Sequence, residues 1–424
     1  ATLPNAYRIV QDTALIDSLA RDNTVLADGT LRVSGYFKDT ISGNKAARNT
    51  TFLIQKPEVW QQYSQYQFTS LNNYFANNEA TKLANLPKDA GQLVLNAQQG
   101  LNLGAKVNGQ AVAGGLGADI NIAAPNLLIA NKQTPNIEGF VRVDVDELNK
   151  LNAGRLVLGG TSSRQANVDL LKAKATQVVV DTAGKALTAN EIIVMAQSPQ
   201  PTQEVPEPAV GAVTIKQNSI LQAQGNSERI RSTPLQVGLL ADFDDNGNDI
   251  DAANGNGALL RLSSGKEVLI NRLNVAGIDG EGDTTTGNLN IANNVSLVAN
   301  SISLDATGNT NVAASAKFTA QSIDANGATV IFSQNNSNQN GLVLSSQLLQ
   351  QLSAIDKVTI RSRSSMAFNG NININIPKEL VLSAASLVSD GGQSQINSER
   401  LTLGNDLETG LATTSDKKGQ LVFN

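Results

Sequence analysis

The chain has 424 residues, a net charge of −5, 41% hydrophobic residues and only 4% aromatics, with no cysteine and no histidine. Disulfide frameworks, thiolate metal sites, Ser-His-Asp triads and histidine-based zinc or iron sites are therefore excluded. The acidic balance gives no basic face for nucleic acid, and no apolar run approaches the roughly 18 residues that a membrane helix needs.

Residues 1–86 hold most of the aromatic side chains: Tyr7, Tyr36, Phe37, Phe52, Trp60, Tyr63, Tyr66, Phe68, Tyr74 and Phe75 all precede residue 76. Residues 56–86 are polar and aromatic, with some helical character. The group Trp60, Tyr63, Tyr66, Phe68, Tyr74 and Phe75 reads in two ways. It is a sugar-stacking platform, or it is the core of a local subdomain; aromatics absent elsewhere in a chain favour the second. We take 1–86 as an N-terminal unit of strands plus an aromatic and helical insertion, and as a candidate cap.

From residue 87 a different pattern takes over. Short alternating apolar/polar runs are separated by Gly, Asn and Asp turns, as in Gln92-Leu93-Val94-Leu95-Asn96 and Asp119-Ile120-Asn121-Ile122. Runs of three to six residues have strand length. Residues 287–333 show this most clearly, with breaks at Asn293-Asn294, Gly308-Asn309 and Asn326-Gly327. An antiparallel sandwich and a parallel β-helix of about 20 residues per coil both suit such spacing. Abundant Asn, able to stack in ladders, small turn residues and an unbroken pattern favour the helix.

Three features punctuate the pattern. Residues 199–210 are Pro-rich, cannot supply ladder N–H groups, and read as an exposed loop between coils 87–198 and coils 211–424. Residues 241–257 are an Asp/Asn/Gly-rich loop. Two helical turns share Leu-x-x-Leu-(Asn/Ser)-Ala, at Val145–Ala153 and Ser346–Ala354, each followed by a strand. This suggests a repeated unit about 200 residues apart. The fold class is all-β: a right-handed parallel β-helix, or β-solenoid, with an aromatic-rich N-terminal subdomain and loop insertions.

Four passages in order resemble a domain of the large filamentous-haemagglutinin-family exoproteins that Gram-negative bacteria export by two-partner secretion. They are Leu3-Pro4-Asn5-Ala6-Tyr7-Arg8 with Val33-Ser34-Gly35-Tyr36; Tyr63-Ser64-Gln65-Tyr66; Leu86-Pro87-Lys88-Asp89-Ala90-Gly91-Gln92-Leu93 with Gly114-Gly115-Leu116-Gly117; and Leu151-Asn152-Ala153-Gly154-Arg155-Leu156-Val157-Leu158 with Leu187-Thr188-Ala189-Asn190-Glu191. The resemblance spans about residues 1–225; the remainder matches in repeat style. It implies a right-handed parallel β-helix, a secreted or cell-surface location, and roles in adhesion, aggregation, biofilm formation or delivery of a toxic tip. Implied partners are glycans, extracellular matrix or other cells, and an outer-membrane transporter for the parent protein. The hallmark of the family's secretion domain is not found. We therefore expect a segment from further along the rod, cut from a larger chain.

The sharpest local constellation is Asp242, Asp244, Asn246, Asn248, Asp249 and Asp251. Alternating oxygen ligands with Gly247 between them resemble the start of a calcium loop. Ala253 stands where an EF-hand would place Glu, so Asp249 or Asp251 would complete the shell; the plain alternative is a solvated acidic turn. Carboxylate groups at Asp144, Asp146 and Glu147, and at Asp279, Glu281 and Asp283, could in principle serve glycoside hydrolysis. They read better as exposed turn residues. Arg361 and Arg363 are expected to face solvent together. The chain is thus expected to be no enzyme but an adhesin segment. The alternatives are a passive stalk of a contact-dependent toxin-delivery exoprotein and a polysaccharide-degrading β-helix enzyme. The last predicts acidic residues from neighbouring coils converging on one face.

Overall fold

Alternation of period two places every second side chain on the same face of a strand. In Ile372–Asn375 the two isoleucines are buried and the two asparagines exposed. The same logic builds strand after strand along the chain. The computed structural model describes residues 6–15, 23–63, 88–104, 107–198, 210–225, 230–238, 255–273, 275, 287–334, 340–407 and 420–423.

Contacts divide the chain into two units, Ala1–Leu86 and Pro87–Asn424. The first holds a four-stranded antiparallel sheet in the order Arg8–Gln11, Thr50–Gln55, Leu31–Gly35, Thr24–Val25. A helical turn, Pro57–Trp60, follows. The Asp28 carboxylate closes a turn by accepting from the Thr30 amide at 2.9 Å and hydroxyl at 2.8 Å, and also from the Tyr63 hydroxyl. Tyr7, Tyr36, Phe37 and Tyr63 are each at least half exposed. Of the aromatic group Trp60, Tyr63, Tyr66, Phe68, Tyr74 and Phe75, Trp60 is half-buried and Tyr63 is exposed. Tyr66, Phe68, Tyr74 and Phe75 lie outside the described residues.

The second unit contains two ten-stranded sheets. The first runs Gln92–Asn96, Asp119–Ala123, Arg155–Leu158, Glu191–Gln197, Gly257–Ser263, Ser301–Ala306, Ser322–Gly327, Lys357–Ser362, Glu379–Ser383 and Arg400–Gly404. The second runs Val141–Asp144, Asn126–Ala130, Gln177–Asp181, Ala212–Ile215, Asn288–Ile291, Thr310–Val312, Leu342–Ser345, Val330–Ser333, Ser365–Asn369 and Ser386–Ser389. A smaller parallel sheet stacks Ala186–Ala189, Ile220–Ala223, Ser296–Val298 and Lys317–Thr319. Another stacks Ile372–Asn375, Gln393–Asn397 and Gln420–Phe423.

Where the repeat is regular, the chain visits the three kinds of sheet in turn and returns one strand further along. Ladders between successive visits have separations of 21 or 22 residues. Asn311 Nδ2 donates to Asn290 Oδ1 at 2.8 Å, and Asn397 Nδ2 donates to Asn375 Oδ1 at 2.5 Å. The stacked amides expected from composition are therefore present on the exposed side. Inside, one continuous cluster runs from Ile120 and Leu156 through Ile192, Leu260, Ile302, Ile323 and Val358 to Leu380. Phe332 and Phe368 stack in register at 4.6 Å and 15° between neighbouring strands of the second sheet.

The two helical turns are part of a larger duplication. In each, one strand of the second sheet is followed by a second strand that pairs parallel with it, then a helix, then a strand of the first sheet. The copies are Asn126–Ala130, Val141–Asp144, Val145–Lys150, Arg155–Leu158 and Val330–Ser333, Leu342–Ser345, Ser346–Leu352, Lys357–Ser362. Asp144 caps the first helix by accepting from the Asp146 amide, and Ser345 caps the second by accepting from the Leu348 amide. Leu148 and Leu151, and Leu349 and Leu352, bury the helices against the core.

The sheet is not parallel throughout. Gly257–Ser263 runs antiparallel to both of its neighbours, Glu191–Gln197 and Ser301–Ala306. The chain leaves the stack after Ile220–Ala223 and makes the lateral strand Leu235–Val237. It then enters the first sheet reversed and leaves again as Ile270–Arg272. These lateral strands join Gly160–Arg164 and Asp169–Ala173 in a four-stranded sheet. A second apolar cluster forms with it: Leu171, Leu235, Val237, Val268 and Ile270 with Val157, Ile193, Met195 and Leu259 of the first long sheet. This part of the first sheet is therefore buried on both faces, and its strands read as near-continuous apolar runs.

Candidate functional site

Burial of both faces strands charged side chains where water cannot reach them, and such groups need partners. Arg155, Glu191 and Arg261 project from three neighbouring strands of the first long sheet and are each at most 4% exposed. Arg155 Nε lies 2.5 Å from Glu191 Oε2, and Arg261 Nε lies 2.6 Å from Glu191 Oε1. Arg155 Nη1 also holds Asp169 of the lateral sheet at 2.7 Å, and Arg231 Nη1 lies 2.8 Å from the other oxygen of that carboxylate. Arg164 reaches from the lateral sheet to Asp119 at 2.5 Å. The ion pairs thus tie the lateral layer to the long sheet.

Burial alone would raise the Glu191 carboxyl, but Arg155 and Arg261 together hold it below the usual range. Asp119 differs: burial outweighs Arg164 and Arg155 and pushes it up.

A second cluster follows along the same sheet. Burial opposes ionisation of Asp305, yet Arg272 and Arg363 hold it low, and Asn326 Nδ2 donates to it at 3.1 Å. Burial pushes Asp324 up to about 6, although Arg361 Nη1 donates to both of its oxygens at 2.7 Å. Arg361 Nε also meets Asp406 at 3.1 Å. Arg361 and Arg363 are therefore not a solvated pair. Arg363 is 7% exposed and turned inward onto Asp305, because that carboxylate is buried two strands away.

Acidic residues of neighbouring strands do converge on one face, at Asp305 and Asp324. Each is engaged by guanidinium, as are Glu191, Asp169 and Asp119. Arg155–Asp169, Arg164–Asp119 and Arg272–Asp305 join the lateral sheet to the long one, while the Glu191 and Asp324 pairs join neighbouring strands of the long sheet itself. Asp144, Asp146 and Glu147 are scattered in role: Asp144 caps the helix, Asp146 pairs with Lys185, and Glu147 Oε2 accepts from the Leu103 amide at 3.3 Å. Asp279, Glu281 and Asp283 lie outside the described residues. So do Asp242, Asp244, Asn246, Asn248, Asp249 and Asp251, and residues 199–209 of the Pro-rich loop. Among the described residues, no group of three or more acidic side chains is placed to hold a metal ion. Nor is any helix among them long and apolar enough to cross a membrane.

Sequence reasoning missed the buried charges, although a signal existed. Glu191 opens the run Ile192-Ile193-Val194-Met195-Ala196, and Arg261 interrupts Ala258-Leu259-Leu260 and Leu262. A charge embedded in an unbroken apolar run marks a position that is buried and paired, not a surface one.

No family model matches the chain, no curated protein matches it, and no solved structure matches it.

Proposed function

We propose that residues 87–424 form a right-handed parallel β-solenoid, and that this solenoid is an adhesive spacer segment of a secreted bacterial surface protein resembling the filamentous haemagglutinins. The observation that carries the reading is the stacking of strands in two long sheets, with returns of 21 or 22 residues where the repeat is regular and amide pairs outward. Parallel strands joined by crossovers are right-handed in about 98% of cases, which is the basis for the handedness. A continuous core along the stack and paired buried charges suit a stiff support. Exposed Asn, Gln, Ser and Thr suit many weak hydrogen bonds to glycans, matrix or other cells. Guanidinium groups on each of the converging carboxylates favour this role over a polysaccharide-degrading one.

The test is retention of the purified chain on a panel of bacterial and host polysaccharides, with and without a calcium chelator, with supernatants checked for shortened chains. Retention without cleavage is the expected result. Sensitivity to chelator would assign a role to the loop carrying Asp242, Asp244 and Asn246. Cleavage would replace the adhesive reading with the enzymatic one, and absence of retention would leave a passive stalk.

A further inference from the structure

The duplicated strand–helix unit leaves a matching groove behind each helix. The first, about 380 Å³, is lined by Asn149, Asn152, Thr188, Asn190, Gln224 and Gly225. The second, about 280 Å³, is lined by Ser353, Asn375, Ile376, Pro377, Asn397 and Glu399. The two are equivalent in the fold. Each includes the residue that follows the shared Leu-x-x-Leu, Asn152 or Ser353. Each then crosses the end of the next strand of the small sheet, Ala186–Ala189 or Ile372–Asn375. Each finishes at the end of the strand after that, Ile220–Ala223 or Gln393–Asn397. Two strand steps make each groove roughly 10 Å long.

The lining has a definite chemistry. Neither groove is lined by a lysine or arginine, and Glu399 is the single charged group. Amide side chains supply donors and acceptors together. Asn152 and Asn190 make no side-chain hydrogen bond among the described residues, so both functions of each amide are open to a ligand. The remaining walls are small and apolar, Ala153 and Ala189 in one groove, Ile376 and Pro377 in the other. Gly225 shapes the floor: a Cβ there would lie 2.2 Å from Asn190 Oδ1. Any larger residue would push Asn190 out of place.

We infer that the two grooves are equivalent binding sites for an uncharged polysaccharide, held by amide hydrogen bonds to hydroxyls and by contact of sugar C–H faces with the apolar walls. This rests on the adhesive reading above and names its ligand class. The absence of basic groups from the lining argues against an acidic polymer, whose charge would have no partner there.

The experiment measures retention of the whole chain on three neutral polymers (dextran, a galactomannan and a mixed-linkage β-glucan) and on two acidic ones (hyaluronan and alginate), at low and high salt. The variants are Asn152→Ala/Asn190→Ala/Gln224→Ala in the first groove, Asn375→Ala/Glu399→Ala in the second, and the two combined. Gln224→Arg alone, at an exposed position of the first groove, should weaken retention as the first-groove variant does while leaving the fold intact, which circular dichroism checks throughout. We expect retention on at least one neutral polymer, unaffected by salt. Each groove variant should lose several-fold in apparent affinity, and the combination at least tenfold, because two linked sites act together. Retention that survives the combined variant would overturn the groove assignment and leave the adhesive reading standing. Retention only on acidic polymers would do the same. Retention on no polymer would overturn both.

Discussion

Asn149 meets Thr188 as a neighbouring strand would. Asn149 Oδ1 accepts from the Thr188 amide at 2.8 Å and from its hydroxyl at 3.2 Å, while Asn149 Nδ2 donates to the Ala186 carbonyl at 2.9 Å. Ala186–Ala189 is an edge strand of its sheet, and one side chain on the helix Val145–Lys150 covers that edge. An uncovered edge is a template for pairing with another chain. The second helix reaches the turn that precedes the opposite edge strand, Lys317–Thr319: Gln351 Nε2 donates to the Ala314 carbonyl at 2.7 Å.

Replacing Asn149 by Ala should therefore cost about 1–3 kcal/mol, since the Thr188 amide and Ala186 carbonyl lose their partner. Hydrogen exchange at Thr188 should accelerate while exchange at Val194, deep in the core, changes less. Equal acceleration at both would mean that Asn149 supports only global stability and does not guard the edge.

The Arg155–Glu191–Arg261 chain predicts a strong asymmetry between breaking and replacing it. Glu191→Ala leaves Arg261, among the described residues, with two neutral partners, the Ser301 hydroxyl at 3.2 Å and the Lys266 carbonyl at 3.4 Å. A buried, uncompensated guanidinium should cost about 3–5 kcal/mol in urea unfolding. Glu191→Leu combined with Arg261→Met should recover much of that loss. If the double variant is as unstable as Glu191→Ala, packing and not charge governs the site.

Asp324 predicts a pH dependence. Its folded value, raised from 3.8 to about 6 by burial, means that the native protein holds a proton which the unfolded chain has released. The associated stability is fully present below pH about 4 and is lost as pH rises towards 6. Compared with Asp324→Asn, the wild type should thus lose on the order of 2–3 kcal/mol across that window and stay parallel to it above pH 7. Glu191 and Asp305, held low by their arginines, act in the opposite sense and lose their contribution as pH falls. They are common to both proteins and cancel in the comparison. Urea midpoints of both proteins from pH 4 to 8 test this; a constant difference would refute it.

Close backbone approach between strands makes a steric prediction. A Cβ on Gly154 would stand 2.5 Å from the Gly117 Cα, and one on Gly117 would stand 2.7 Å from the Gly154 Cα. Gly154→Val should cost about 1–3 kcal/mol or more, as overpacking does. Gly100→Ala, with open space around it, should be near neutral by thermal melting. Equal effects would show that the register there is soft.

Much of the second unit was legible because its determinants are local. Period-two alternation marked strands such as Ile372–Asn375, and the shared Leu-x-x-Leu marked both helices, down to the buried Leu151 and Leu352. Even so, the motif pointed only to a helix and the strand after it. The extra strand before each helix was invisible, since Val141–Asp144 and Leu342–Ser345 look like any other strand of the stack.

What the sequence alone determined was therefore the all-β character, the stacked amides and the position of the helices. These depend on neighbours within a few residues or on a repeat of fixed length. The tertiary structure alone decided the direction of Gly257–Ser263 and the fate of the charges. The run Ala258-Leu259-Leu260-Arg261-Leu262 is the same whichever way the strand enters the sheet. Arg361 and Arg363 alternate as solvated residues do, yet both turn onto carboxylates of earlier strands. Burial of a charge is set by what packs over it, and here the partners arrive from strands 37 and 58 residues away.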